Sequence, residues 1–356
     1  MTPSRPRDLL ELLKIDWPII QAPMAGTSTP AMAAAVSNAG GLGSIGVGSL
    51  TAAAAEDMIA AVRARSNRAL NVNLFCHRPA KSNPAHEQAW LERLRPEFSK
   101  FGAVPPPAIA EPYASFLENE DMLRTLLAAK PSVVSFHFGL PRSEWIKALR
   151  EAGIVLLATA TNLHEARLIA AAGIHAVVAQ GFEAGGHRGI FDQDGEDAQL
   201  SAMALTQMLV RELDIPVIAA GGIMDGHGIA AALRLGASAA QLGTAFVPAD
   251  ESAADAGHRA ALFSEAAHHT IMTRVISGRP ARCLANRFTA FGASVTPNEV
   301  PDYPIAYDAG KALNAAAKAK GDFGYGAQWA GQGAPLARAL PVEKLMNTLI
   351  AELQGA

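Results

Sequence analysis

Apolar residues along the chain come in short runs, at 18–22, 42–45, 69–74, 133–136, 154–158, 176–179, 216–219 and 239–242, each ending at glycine or a polar residue. Strands covered on both faces read this way, because neither face has to meet water. Between the runs lie Ala/Leu-rich helical patterns over 30–39, 52–63, 122–129, 142–152, 162–172, 198–211 and 225–235. Pro30, Thr51, Asn162 and Asp225 mark helix starts, where a preset φ or a side-chain acceptor suits the free N–H groups of a first turn.

Eight such β-then-α units predict an α/β fold of the (β/α)8 TIM-barrel kind, with chemistry in the loops at the strands' carboxyl ends. A doubly wound sheet is the rival. It would concentrate glycine after the first strand, whereas Gly221, Gly222 and Gly243 mark the late strand ends at least as strongly. The Pro-rich stretch 78–112 breaks the alternation after the third strand and reads as an insertion with a helix near 86–94. From about Ala249 helical patterns dominate. The expected division is therefore a barrel over 1–248 and a helical appendage over 249–356 that covers the mouth and returns to the barrel.

Composition narrows the partner. With 356 residues, 50% of them hydrophobic and 18% charged, the chain can bury a large core. A net charge of −3 leaves no electrostatic footprint for nucleic acid or an anionic membrane, so a small molecule is the expected partner. Cys76 and Cys283 are too few for a thiolate metal site or a disulfide framework, which fits a cytoplasmic protein. The uncharged stretch 17–55 is broken by Pro18, Pro23 and Pro30, and so reads as short buried elements instead of a membrane span.

Candidate chemistry clusters at the strand ends. QAPMAG (21–26) brings Met24, whose thioether could lie on a flat ring or simply fill core, and Gly26, which admits close backbone approach. NVNLF (71–75) offers the Asn73 amide to a heterocycle edge or to a turn. AQGFEAGGHRG (179–189) is the richest, joining Gln180, Glu183, Gly185, Gly186, His187 and Arg188 in one loop. An imidazole titrating near neutrality among glycine N–H groups suits acid/base work beside a heterocycle. IAAGGI (218–223) and QLGTAF (241–246) end the seventh and eighth strands, the usual phosphate site of this barrel, although glycine there also serves turns. In PDYPIAYDAGK (301–311), Tyr303, Tyr307 and Lys311 recur every four residues and share a face if the segment is helical, as an anion entrance or as packing. His258, His268 and His269 lack accompanying ligand spacing, so no metal site is expected.

Taken together, QAPMAG, NVNLF, QGFEAGGHRG, IAAGGI and QLGTAF resemble the nitronate monooxygenase family, and AYDAGK extends the resemblance to its class I type. The resemblance implies an FMN-binding barrel that oxidises alkyl nitronates such as propionate 3-nitronate with O2. The implied products are a carbonyl compound and nitrite or nitrate, formed by way of a flavin semiquinone and without pyridine nucleotide. Met24, Asn73, Gln180, Gly185, Gly222, Gln241, Leu242, Gly243 and Thr244 match the family's flavin contacts, and His187 matches its active-site histidine. Tyr303, Tyr307 and Lys311 match the substrate side, with Tyr113 as a further pocket residue. The alternative is an NAD(P)H-dependent FMN reductase of the same barrel group, acting on quinones or enoyl thioesters. From another class, a phosphate-binding aldolase or isomerase could use the same late loops and would be colourless. A homodimer is left open.

Overall fold

Eight parallel strands form one curled sheet in the computed structural model, which describes residues 6–356. In chain order they are β1 (Ile19–Gln21), β2 (Gly43–Gly46), β3 (Leu70–Phe75), β4 (Val133–His137), β5 (Val155–Ala160) and β6 (Ala176–Gln180). A two-residue strand outside the barrel, β7 (Gly186–His187), precedes β8 (Val217–Ala220) and β9 (Ala239–Leu242). Hydrogen-bonded neighbours run β1-β9-β8-β6-β5-β4-β3-β2. Leu42 then bridges back to β1, donating to Ile19 O at 2.9 Å and accepting from Gln21 N at 3.0 Å, so the eighth seam is drawn shut.

The helices between the barrel strands are α2 (Pro30–Asn38), α3 (Ala52–Arg63), α5 (Glu120–Ala129), α6 (Ser143–Glu151), α7 (Leu163–Ala171), α8 (Ala202–Glu212) and α9 (Gly226–Arg234). The Thr29, Thr51, Asn162 and Asp225 side chains each accept from a first-turn N–H, a cap worth about 1 kcal/mol apiece. One end of the barrel is stoppered by α1 (Pro6–Leu13), whose Leu9 and Leu13 join the inward-facing Ile20, Val133, Leu157 and Ile218 in an apolar floor. The strands' carboxyl ends are left for the site.

The insertion after β3 contains α4 (Pro84–Ser99), longer than the helix expected near 86–94. Its Trp90, Leu91, Leu94 and Phe98 pack with Ile305, Ala309 and Leu313 of α12 (Ile305–Lys318), tying the insertion to the C-terminal part of the chain. That part also holds α10 (Ala256–Leu262), α11 (Arg287–Gly292) and two strands that the helical pattern did not predict, β10 (Thr270–Thr273) and β11 (Ala281–Leu284). The strands are antiparallel, and β11 also pairs with β7, placing Ala281 opposite His187. Four-residue strands carry too little alternation to declare themselves locally.

The last helix, α13 (Val342–Gly355), occupies the eighth position of the outer ring, between α9 and α2. Val342, Leu345, Met346 and Leu349 pack on Ile19, Met32, Val36 and Ile229. Gly226 makes the contact close, since a Cβ there would lie 2.3 Å from Leu353 N. Among the described residues no helix is long and apolar enough to cross a membrane.

Candidate active site

A cavity of about 310 Å³ opens where the barrel strands end, within the range of small-molecule sites. Met24, Asn73, Gln180, Gly185, His187, Gly222, Gln241, Gly243 and Thr244 line it, as do Tyr113, Tyr307 and Lys311. Leu242 does not. Its side chain packs outward with Ile19, Met32 and α13, and its carbonyl accepts from Ala22 N at 2.8 Å. Strand alternation gives the reason: when Gln241 faces the cavity, its neighbour must face away. Tyr303 also falls outside the lining and outside the helix. It precedes α12 across a cis bond to Pro304, so the expected three-residue helix face holds only Tyr307 and Lys311.

Glycine shapes one end. Gly221 and Gly222, after β8, have φ of 120° and 71°. A Cβ on Gly243 would find only Ala22 Cβ at 3.5 Å and Met24 Sδ at 3.8 Å, both ordinary contacts. A Cβ on Gly185 would strike the backbone of Ala330 and Gly331 at 2.5 Å. Segment 329–333 therefore lies directly on the β6 loop, and Gly331 N donates to Thr244 Oγ1 at 2.9 Å. Glycines at successive strand ends let a ligand approach the backbone closely, the kind of surface that phosphate groups use in barrels of this type.

His187 is the centre of the other end. Its Nε2 lies 2.9 Å from Ser277 Oγ in the β10–β11 loop. Ser277 Oγ is also within 3.3 Å of Arg279 O, and when its proton goes there its oxygen accepts from a hydrogen on His187 Nε2. Among the described residues Nδ1 has no hydrogen-bond partner. Burial holds the imidazole well below the ordinary histidine range, and Arg279, His137 and His77 push the same way. The ring is neutral at physiological pH. Phe138, Tyr303, Tyr307 and Trp329 surround it, with centroids 5.1–6.1 Å away.

The loop behind His187 is braced from two strands. Gln180 Nε2 donates to His187 O at 3.0 Å, and Gln180 Oε1 accepts from Gly189 N at 2.7 Å. His137, at the end of β4, donates from Nε2 to the same His187 carbonyl at 3.2 Å and accepts at Nδ1 from Thr159 Oγ1 at 3.0 Å. Burial lowers its pKa to about 4, keeping it neutral. Arg188 is structural, because its guanidinium forks onto Asp197 at 2.8 and 3.0 Å. Asn73 donates to Ser135 Oγ at 2.9 Å, leaving Oδ1 without a partner among the described residues.

At the mouth, the Tyr113 and Tyr303 hydroxyls meet at 2.9 Å. Lys311 Nζ stands 4.8 Å from the Tyr307 ring centre and 5.4 Å from that of Tyr113, with no carboxylate in ion-pair contact among the described residues. Desolvation lowers its pKa, opposed by Asp308. Sequence reasoning overlooked His137, Phe138, Ser277, Arg279 and Trp329. For His137 a signal existed, since it ends a strand in SFHFG as Gln180 ends its own. No cluster of His, Cys, Asp or Glu among the described residues could hold a metal.

Comparison with known proteins agrees with this geometry. The sequence pattern of the Nitronate monooxygenase family matches residues 7–352. A nitronate monooxygenase of Paraburkholderia phytofirmans is 60% identical over 348 residues, covering 98% of this chain and 95% of the relative. One from Pseudomonas aeruginosa is 53% identical, covering 97% and 98%. Among solved structures, nitroalkane oxidase from Streptomyces ansochromogenes superposes with a TM-score of 0.88 at 41% identity, covering 98% of each chain. FabK from Thermotoga maritima superposes with a TM-score of 0.73 at 29% identity, covering 98% and 96%.

Proposed function

The chain belongs to the nitronate monooxygenase family of oxidoreductases, and on that premise we propose that its cavity holds FMN and oxidises small alkyl nitronates with O2. Propionate 3-nitronate or a close relative is the proposed substrate, and a carbonyl compound with nitrite or nitrate the products. The observation that carries this reading is a neutral His187, held at Nε2 and free at Nδ1, inside an aromatic cavity that is glycine-cradled at one end and cationic at its mouth.

The residues fit the cofactor. Gly222, Gly243, Thr244 and Gln241 would hold phosphate and ribityl groups, with Leu242 contributing backbone only. Gly185 would border the ring beside Met24, Asn73 and Gln180, and the unpartnered Asn73 Oδ1 supplies an acceptor. Bound FMN supplies a reversible one-electron acceptor.

The chain's own part is to bind, orient and move a proton. Lys311 attracts an anionic tail, while Tyr113 and Tyr307 confine the substrate. With a nitronate, which is already deprotonated, His187 only positions it. With a neutral nitroalkane, His187 Nδ1 takes the proton from the carbon bearing the nitro group, leaving nitronate and imidazolium.

Oxygen uptake by the purified yellow protein tests the reading. Propionate 3-nitronate should drive uptake and NADPH should not. Rapid anaerobic bleaching by NADPH, without turnover of nitronate, would reassign the chain to the reductases of this barrel group.

A further inference from the structure

We propose that Arg279 is a specificity-determining residue, an unpaired buried cation behind Phe138 that makes the cavity prefer anionic over neutral ligands. This rests on the reading above, in which the substrate is a nitronate anion.

Arg279 is 1% exposed, in the turn between β10 and β11. All its hydrogen bonds go to neutral oxygens: Nε to Arg188 O at 3.4 Å, Nη1 to Gln193 Oε1 at 3.4 Å, and Nη2 to Ile190 O. Among the described residues no carboxylate lies within ion-pair distance of it, and the buried Glu165 acts on it only at longer range. Its neighbours are different. Arg188 pairs with Asp197, Arg274 with Asp194, and Arg78 with Asp302 and Asp194. Buried charges are ordinarily paired, because carbonyl dipoles solvate a cation without cancelling its field.

The field is directed at the cavity. The guanidinium carbon lies 4.1 Å from the centre of the Phe138 ring, and Phe138 is part of the cavity wall. Phe138 adopts a φ of 74°, in the left-handed region that bulky side chains avoid, and its ring stands edge-on to His187 at 5.8 Å and to Tyr303 at 5.5 Å. Arg279 contributes to the lowered pKa of His77, His137 and His187 alike. With all three neutral, the charge has only the longer-range field of Glu165 against it, and no contact ion pair, until an anion enters. Lys311 is exposed at the mouth and open to salt, whereas Arg279 is screened far less.

Two substitutions separate charge from structure in the holoenzyme. Arg279→Gln removes the charge, and Arg279→Lys keeps it while losing the planar fork. Calorimetric titration with nitrate, an unreactive planar anion, should show affinity falling about tenfold in Arg279→Gln and less than threefold in Arg279→Lys. The ratio of kcat/KM for ethylnitronate to that for nitroethane should fall in the same order. Equal losses in both variants, or an unchanged Gln variant, would overturn the proposal. The unmodified enzyme gives an independent check should the Gln variant fail to fold. Nitrate affinity should change less than twofold between low and moderate ionic strength, and a steep fall would assign the attraction to Lys311. If no nitronate is oxidised yet Arg279→Gln still loses nitrate affinity, the function fails and this inference stands.

Discussion

Ser277 Oγ lies 2.9 Å from His187 Nε2, although ninety positions separate the two residues in sequence. When the serine gives its proton to Arg279 O, its oxygen favours the imidazole tautomer protonated at Nε2. Ser277→Ala removes that preference without touching the ring. Turnover of neutral nitroalkanes should fall roughly threefold to tenfold, the value of one hydrogen bond, with nitronate turnover nearly unchanged. Steady-state kinetics with nitroethane and ethylnitronate decide it, and equal losses would argue for general disorder of the loop.

His187→Asn keeps a polar side chain but has no basic nitrogen. Nitroalkane oxidation should drop by about 10²–10⁴-fold, while nitronates, which need no deprotonation, should lose far less. A parallel collapse of both activities would place His187 in binding and leave the base unassigned.

Acid should loosen the fold through its buried histidines. Burial lowers His77 to about 3 and His137 and His258 to about 4, against an ordinary value near 6.5. The unfolded chain therefore binds more protons between those limits. Their stabilising effect is complete above about pH 6.5 and is lost as pH falls toward 4. For His258, in α10 and away from the cavity, the loss is about 3 kcal/mol. Melting temperature measured from pH 7 to 4.5 should decline less steeply in His258→Gln. An unchanged slope would show that His258 is not held neutral.

Two glycines should fail for different reasons. Gly222 has room for a methyl group, the nearest atom being Glu183 Cβ at 3.7 Å, but its φ of 71° disfavours any L side chain. Gly222→Ala should cost about 1–2 kcal/mol in urea unfolding. Gly185→Ala instead drives a methyl into the backbone of Ala330 and Gly331, so it should cost more and release flavin from the purified protein. Retention of flavin with normal stability would show that segment 329–333 does not rest on the β6 loop.

The barrel was legible because each strand is an apolar run bounded by polar or glycine residues. The run at 239–242 and the helix at 52–63 coincide with β9 and α3, and the other barrel strands shift by only a residue or two. Residues at strand ends were legible for the same reason. Ser277 and Arg279 were not, since their importance exists only once β11 pairs with β7 and carries that turn behind His187. Tyr303 shows the limit of spacing arguments. Its four-residue interval to Tyr307 suggested a shared helix, yet Pro304 stands between Tyr303 and the helix start, and Tyr303 instead packs against the His187 ring from outside the helix and meets the Tyr113 hydroxyl.

Because α13 is the eighth helix of the ring, the covering segment is spliced into the barrel instead of following it. During synthesis every part of the cover leaves the ribosome before the helix that completes the ring beneath it, so the final packing of β1 and α2 waits for the far end of the chain. Removing α13 would therefore unseal the barrel wall between α9 and α2, at the opposite end of the sequence from the strand it covers.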